Sequence, residues 1–132
     1  MKKLRGYIFS RPFMGERVPQ HVQNLVIRDY CERTQSHYLL STPEYAINGC
    51  HLILEQILDE LPTLDGIAAY SVFQLPEDPA FRKLVYQRIL ASNKEMHFAV
   101  EGLRVTNPQD SERIEVLWRV RNTLAHCPQT LN

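Results

Sequence analysis

Apolar and polar positions along this chain follow two alternating rhythms. Short runs rich in aromatic and β-branched residues give way to longer stretches in which apolar residues recur three and four apart. Strands and helices taken in turn produce that pattern, and their alternation predicts a parallel sheet. Arg5-Gly6-Tyr7-Ile8-Phe9-Ser10 predicts a first strand over 5–10. Pro19 then falls where helices accept proline, and Val22, Leu25, Val26 and Tyr30 share a face, which predicts a helix over 19–33. His37-Tyr38-Leu39-Leu40-Ser41 reads as the second strand and runs into a turn-rich loop over 42–49. Cys50, Ile53, Leu54, Ile57, Leu58 and Leu61 recur at helical spacing until Pro62 stops them.

The run over 66–73 is almost unbroken in apolar character, as a central strand covered on both faces requires. Asp78-Pro79 supplies a cap and a first-turn proline for a third helix with Phe81, Leu84, Val85 and Ile89 inward. A fourth strand is predicted over 96–100, and Asn107-Pro108 opens a last helix carrying Ile114, Leu117, Trp118, Arg121 and Leu124 through about Ala125. Its lone Trp118 needs an apolar partner, so that helix either closes the core or makes a homodimer contact in which it can be exchanged between copies. The predicted architecture is one three-layer α/β domain over 1–132, with a four-stranded, mainly parallel sheet in the order 2-1-3-4 and a flexible tail over 126–132.

Composition refines this picture at a few points. The longest apolar runs are too short to cross a bilayer, and the basic start over 1–6 lacks the apolar stretch of a signal peptide, so a cytoplasmic protein is expected. Cys31, Cys50 and Cys127 are widely spaced and read as reduced thiols. The five histidines show no metal-ligand spacing, and no Gly-x-Gly-x-x-Gly or Walker loop is present, so neither a metal nor another cofactor is implied. Formal charge is zero but unevenly spread, with no Lys or Arg against seven Asp and Glu over 35–81. That acidic middle makes nucleic acid an unexpected partner.

In an open parallel sheet the chemistry gathers just past the carboxyl ends of the strands. The first strand delivers Ser10 and Arg11, then Arg17 and Gln20; the second delivers Ser41 and Glu44 with Tyr45; the third delivers Ser71 and Gln74; the fourth delivers Glu101 and Arg104. Two arginines beside a helix start point to an anionic small molecule, held by Arg11 and Arg17 with Gln20, Ser71 and Gln74 as further contacts. Ser10 is a nucleophile or a hydrogen-bond donor, and Glu44 and Glu101 are the acid–base candidates. Surface ion pairing of the arginines with Glu16 and Glu44, and solvated carboxylates, are the plainer alternatives.

Two family resemblances bear on these residues. Over 5–104 the chain resembles the catalytic domain of serine recombinases (resolvases), with a Gly-Tyr strand ending in serine, a glutamine-bearing helix and a third strand opening on Asp-Gly-Ile; this implies a resolvase- or flavodoxin-like fold. Where that family carries Arg two residues before its nucleophilic serine, this chain has Ile8. Where the family carries an Asp-Arg-Leu-x-x-Arg-like sequence after strand three, this chain has Ser71-Val72-Phe73-Gln74-Leu75. Nearly the whole chain, through Ser10-Arg11-Pro12-Phe13, Gly15-Glu16-Arg17-Val18-Pro19-Gln20, Tyr70-Ser71-Val72-Phe73-Gln74-Leu75-Pro76 and His97-Phe98-Ala99-Val100-Glu101, also resembles the sporadic carbohydrate cluster family. That second resemblance implies a part in bacterial surface-polysaccharide or lipopolysaccharide synthesis and a phosphorylated or nucleotide-activated sugar as ligand. The expectation is therefore a sugar-binding protein, enzymatic in its leading form. The alternatives are a non-catalytic subunit of a pathway enzyme and, more remotely, DNA strand exchange.

Overall fold

The computed structural model describes residues 1–126. The elements in chain order are β1 (Lys3–Phe9), α1 (Gln20–Arg33), β2 (His37–Glu44), α2 (Leu52–Asp59), β3 (Gly66–Ala69), α3 (Pro79–Ala91), β4 (Glu95–Phe98), β5 (Leu103–Val105) and α4 (Pro108–His126). The sheet order is β2-β1-β3-β4-β5, parallel except for the antiparallel β4–β5 pair. It is the predicted four-stranded order with a fifth strand added at one edge. Three residues, Leu103–Val105, returning through a tight turn with Gly102 at φ 66°, carry too little periodicity to announce a strand.

Sheet alternation divides the core. Tyr7 and Phe9 of β1 face α2, α3 and α4 with Ile67, Ala69, Met96 and Phe98, whereas Leu4 and Ile8 face α1 with Ile27, Tyr30 and Ala68. Trp118 belongs to the larger cluster, 3% exposed, and its Nε1 donates to the Val72 carbonyl at 3.2 Å. The last helix therefore closes its own chain's core, while Val116, Val120 and Leu124 point outward. β3 is shorter than the apolar run suggests, because Val72–Gln74 form a 3-10 turn that Ser71 caps by accepting from Phe73 N. Cys31 is buried, with its thiol pushed up to about 11 by burial; Cys50 is half-buried, and both are free. Cys127 and the rest of the predicted tail, apart from His126, lie outside the described residues.

One irregularity aligns the strand ends. Lys3, Leu4 and Arg5 pair with His37, Tyr38 and Leu39, but Tyr7, Ile8 and Phe9 pair with Thr42, Pro43 and Glu44, so Leu40 and Ser41 together face Gly6. A side chain at Gly6 would lie 2.9 Å from the Ser41 Cα, and glycine is what admits the bulge.

Candidate functional site at the carboxyl edge of the sheet

The strand-end residues form a hydrogen-bonded layer under a cleft. Glu44, at the end of β2, is 1% exposed. Its carboxylate accepts from the Tyr7 hydroxyl at 2.9 Å and from the backbone N–H groups of Tyr45, Ile53 and Leu54 at 3.0, 3.1 and 3.1 Å. Ile53 and Leu54 are in the first turn of α2, whose N–H groups have no partner within the helix. Glu44 thus caps α2 from another strand, where the helix dipole favours a negative charge.

Arg11 is 8% exposed, with its guanidinium 4.2 Å from the centre of the Phe9 ring. Its Nη1 donates to the carbonyls of Tyr45, Ile47 and Cys50 at 2.8, 3.1 and 2.9 Å, which fastens the loop before α2. His51 joins the two charges, with Nδ1 3.3 Å from the Tyr7 hydroxyl and Nε2 3.5 Å from Arg11 Nη2. Because Tyr7 gives its hydrogen to Glu44, the consistent tautomer has Nδ1–H donating to Tyr7 and Nε2 accepting from Arg11. Burial first and the Arg11 charge second lower the His51 pKa to about 4, against the pull of Glu44. Burial, reinforced by Glu44, raises the Tyr7 hydroxyl well above its ordinary value.

Ser10 is half-buried at the end of β1, and its hydroxyl donates to the Glu44 carbonyl. Ser71 and Glu101 meet directly: Ser71 Oγ donates to Glu101 Oε2 at 2.7 Å, and Val72 N donates to Oε1 at 3.0 Å. Gln74 is fully buried, receives Tyr70 N at 3.1 Å and donates to Gln23 at 2.7 Å. Arg17 and Gln20 are exposed on the loop and at the start of α1. The structure joins Ser71 to Glu101, and Arg11 to Glu44 through His51 and Tyr7, while Glu44 and Glu101 share no contact.

Three participants escape the sequence reading. Gln23 holds both backbone groups of Phe9 at 2.9 Å, its Oε1 accepting from the N–H and its Nε2 donating to the carbonyl, and Nε2 also donates to Val18 O. A glutamine at an inward position of a helical pattern is the signal that could have found it. His51 could have been found only through its place beside the start of α2. Arg121 of α4 donates to the Met14 carbonyl at 3.1 Å, so a distant helix brings a cation to the loop that carries Arg17. That loop is a two-residue turn, with Met14 and Gly15 both at positive φ (53° and 76°) and Phe13 and Glu16 exchanging backbone hydrogen bonds.

Above this layer lies a cleft of about 320 Å³, floored by Phe9, Arg11 and His51 and walled by Phe13, Phe73 and Phe81, with Glu77 and Asp78 at its rim. A second hollow of about 270 Å³ lies beside Ser71 and Glu101 and is bordered by Val18, Tyr70 and Arg121.

No protein-family model matches this sequence, and no curated protein does. Among solved structures the fold is that of serine recombinase catalytic domains. The N-terminal catalytic domain of TP901-1 integrase is similar with a TM-score of 0.57 at 11% identity, covering 92% of this chain and 96% of that one. A resolvase family site-specific recombinase from Streptococcus pneumoniae is similar with a TM-score of 0.64 at 6% identity, covering 92% and 90%. These similarities bear out the resolvase-like fold. They overturn the expectation of a carbohydrate-biosynthesis protein with an anionic sugar ligand, and with it the expectation that nucleic acid is an unexpected partner. The physical reason lies in Arg11, whose charge is drawn into the fold by three carbonyls and a phenyl ring instead of being offered to a phosphate. No helix among the described residues is long and apolar enough to cross a membrane.

Proposed function

We propose that this chain is a serine-recombinase-like domain that engages DNA without cutting it. The observation that carries the reading is the state of Ser10. It occupies the strand end where the resemblance implies the nucleophile, yet its hydroxyl is given to a backbone carbonyl and no basic side chain contacts it among the described residues. Ile8, buried against α1, stands where the family has its first arginine, and Gln74 is locked to Gln23 in the segment where the family has two more. A phosphodiester transition state at Ser10 would lack the cations that stabilise its charge. Support for DNA as the partner comes from the two recombinase-type neighbours and from two exposed cations, Arg17 on the loop after β1 and Arg121, which donates to the Met14 carbonyl of that loop.

The test pairs duplex-DNA binding with nicking of supercoiled plasmid. The expected result is binding at low ionic strength that weakens steeply with salt, a shallower salt dependence in the Arg17→Ala/Arg121→Ala double variant, and no nicking. Nicking that disappears in Ser10→Ala would overturn the non-cutting half of the proposal. No binding to DNA at low salt would overturn the whole.

A further inference from the structure

We propose that the cleft between the end of β1, the loop before α2 and the start of α3 is a pocket for a purine base, guanine in particular. At about 320 Å³ it has the capacity of a small-molecule site. Phe13, Phe73 and Phe81 each keep part of their ring surface open at this place while packing against the core below. Aromatic surface held in that way suits a flat ring that stacks.

The floor supplies direction. Arg11 is more than nine-tenths buried and spends one nitrogen, Nη1, on all three of its carbonyl partners. Among the described residues its Nε has no hydrogen-bond partner, and its Nη2 has only the 3.5 Å approach to His51. Arg11 lines the cleft, and among the described residues the sealed side-chain nitrogen without a partner is Arg5 Nε, not Arg11 Nε. The Nε–H and Nη2–H bonds of a guanidinium are parallel and coplanar. Here the plane is fixed by Phe9 and the three carbonyls, so the cleft floor presents a rigid pair of donors to two adjacent acceptors.

The rim supplies the opposite demand. Glu77 and Asp78 are exposed, and one Asp78 oxygen already caps α3 through Ala80 N at 3.0 Å. Two carboxylates at the mouth repel a phosphate or carboxylate ligand and attract N–H donors. The ligand that answers both ends is flat, neutral, and has two adjacent acceptors on one edge and N–H donors on the next. Guanine meets this description with O6 and N7 toward Arg11 and N1–H and the N2 amino group toward the rim. Adenine sets its N6 amino group beside N7 and would turn a donor against the guanidinium.

The pocket follows from the cleft's own chemistry and does not depend on the DNA reading. Its test is equilibrium binding to the full chain, by calorimetry or by Trp118 fluorescence, since Phe73 lies edge-on to Trp118 with ring centres 5.2 Å apart. Guanosine is expected to bind saturably, 7-deazaguanosine about tenfold more weakly, and adenosine without saturation. Phe81→Ala and Glu77→Gln are each expected to weaken guanosine about fivefold or more with an unchanged circular dichroism spectrum, which keeps the test sound if Arg11→Lys fails to fold. Two short single-stranded oligonucleotides, one all thymine and one with a single guanine, separate the sources. A guanine preference in the strand assigns a base within nucleic acid, and guanosine binding without it assigns a free nucleoside. Equal binding of adenosine and guanosine, no effect of Glu77→Gln, or binding of neither guanosine nor the guanine-bearing strand would overturn the assignment. Duplex binding with no guanine preference in any arm removes this pocket and leaves the DNA reading in place; guanosine binding without affinity for DNA does the reverse.

Discussion

Glu44 shows how a residue that reads as chemistry can be spent on structure. It is a carboxylate at a strand end, the position from which α/β proteins offer acids to a ligand, yet its oxygens meet three backbone N–H groups and a phenol in a site closed to solvent. Its partners are either far away along the chain, as Tyr7 is, or anonymous backbone groups of Tyr45, Ile53 and Leu54, and no sequence pattern names them. Replacement by glutamine puts an amide NH2 where one of those donors needs an acceptor. Glu44→Gln is therefore expected to lower the unfolding free energy by about 2–3 kcal/mol, read as a fall in the urea midpoint with an unchanged slope. A loss below about 0.5 kcal/mol would show that the carboxylate does not hold the start of α2. Glu101 meets Ser71 instead of Glu44, because the adjacent strands β3 and β4 bring their ends together whatever the side chains do afterwards.

Among the elements, α2 was the plainest in sequence and α4 the most dependent on tertiary contacts. The apolar spacing of α2 matches its buried face, Ile53, Leu54, Ile57 and Leu58. α4 buries Ile114 and Trp118, and a polar clasp completes its attachment. Arg82 of α3, 3% exposed, makes a two-pronged contact with Glu115 at 2.7 and 2.8 Å while lying 4.3 Å from the Trp118 ring centre, and Tyr86 donates to the same carboxylate at 2.6 Å. The periodicity of α3 and α4 marks both helices but says nothing of this clasp, since arginine and glutamate are ordinary on any helix. Arg82→Ala leaves Glu115 and the Tyr86 hydroxyl without their cation. It is expected to cost about 3 kcal/mol and to speed amide hydrogen exchange over 114–124 more than in α1. Uniform acceleration throughout the chain would show instead that α4 is not a separately anchored unit.

At the scale of the whole fold, and among the described residues, the two faces of the sheet hold one buried histidine each. His51 lies on the α2 side, and His97, on the α1 side, contacts the Tyr30 hydroxyl at 2.5 Å and Glu95 at 2.7 Å, with Lys2 completing the chain at 2.8 Å from Glu95. Burial lowers the pKa of His97 despite Glu95, as it lowers that of His51 to about 4. Below the unfolded value of about 6.5 the unfolded chain takes up protons that the folded chain refuses, so stability falls as the pH drops from there toward the folded values and is unaffected by these groups above. For His51 the window runs from about 6.5 down to about 4 and is worth roughly 3 kcal/mol. Glu95 and Glu115, whose pKa values are lowered by their hydrogen-bonded partners, add a loss of the same sign at still lower pH. Denaturant unfolding at pH 7 and pH 4.5 should differ accordingly, and His51→Gln should flatten the profile; a pH-independent midpoint would contradict both. The layered order of the sheet was legible because strand and helix rhythms survive averaging over many residues, whereas β5 and the two histidine relays rest on single contacts across the sheet. The bulge opposite Gly6 gives β2 a place where its length can change. Parallel partners share a face, and because the bulge absorbs the one extra residue of β2, Glu44 stays opposite Phe9 and turned toward Tyr7 and α2. Deleting the exposed Leu40 would leave Ser41 alone opposite Gly6, with Thr42, Pro43 and Glu44 still opposite Tyr7, Ile8 and Phe9, so descendants of this sequence can shed one residue at this point without turning Glu44 away from α2.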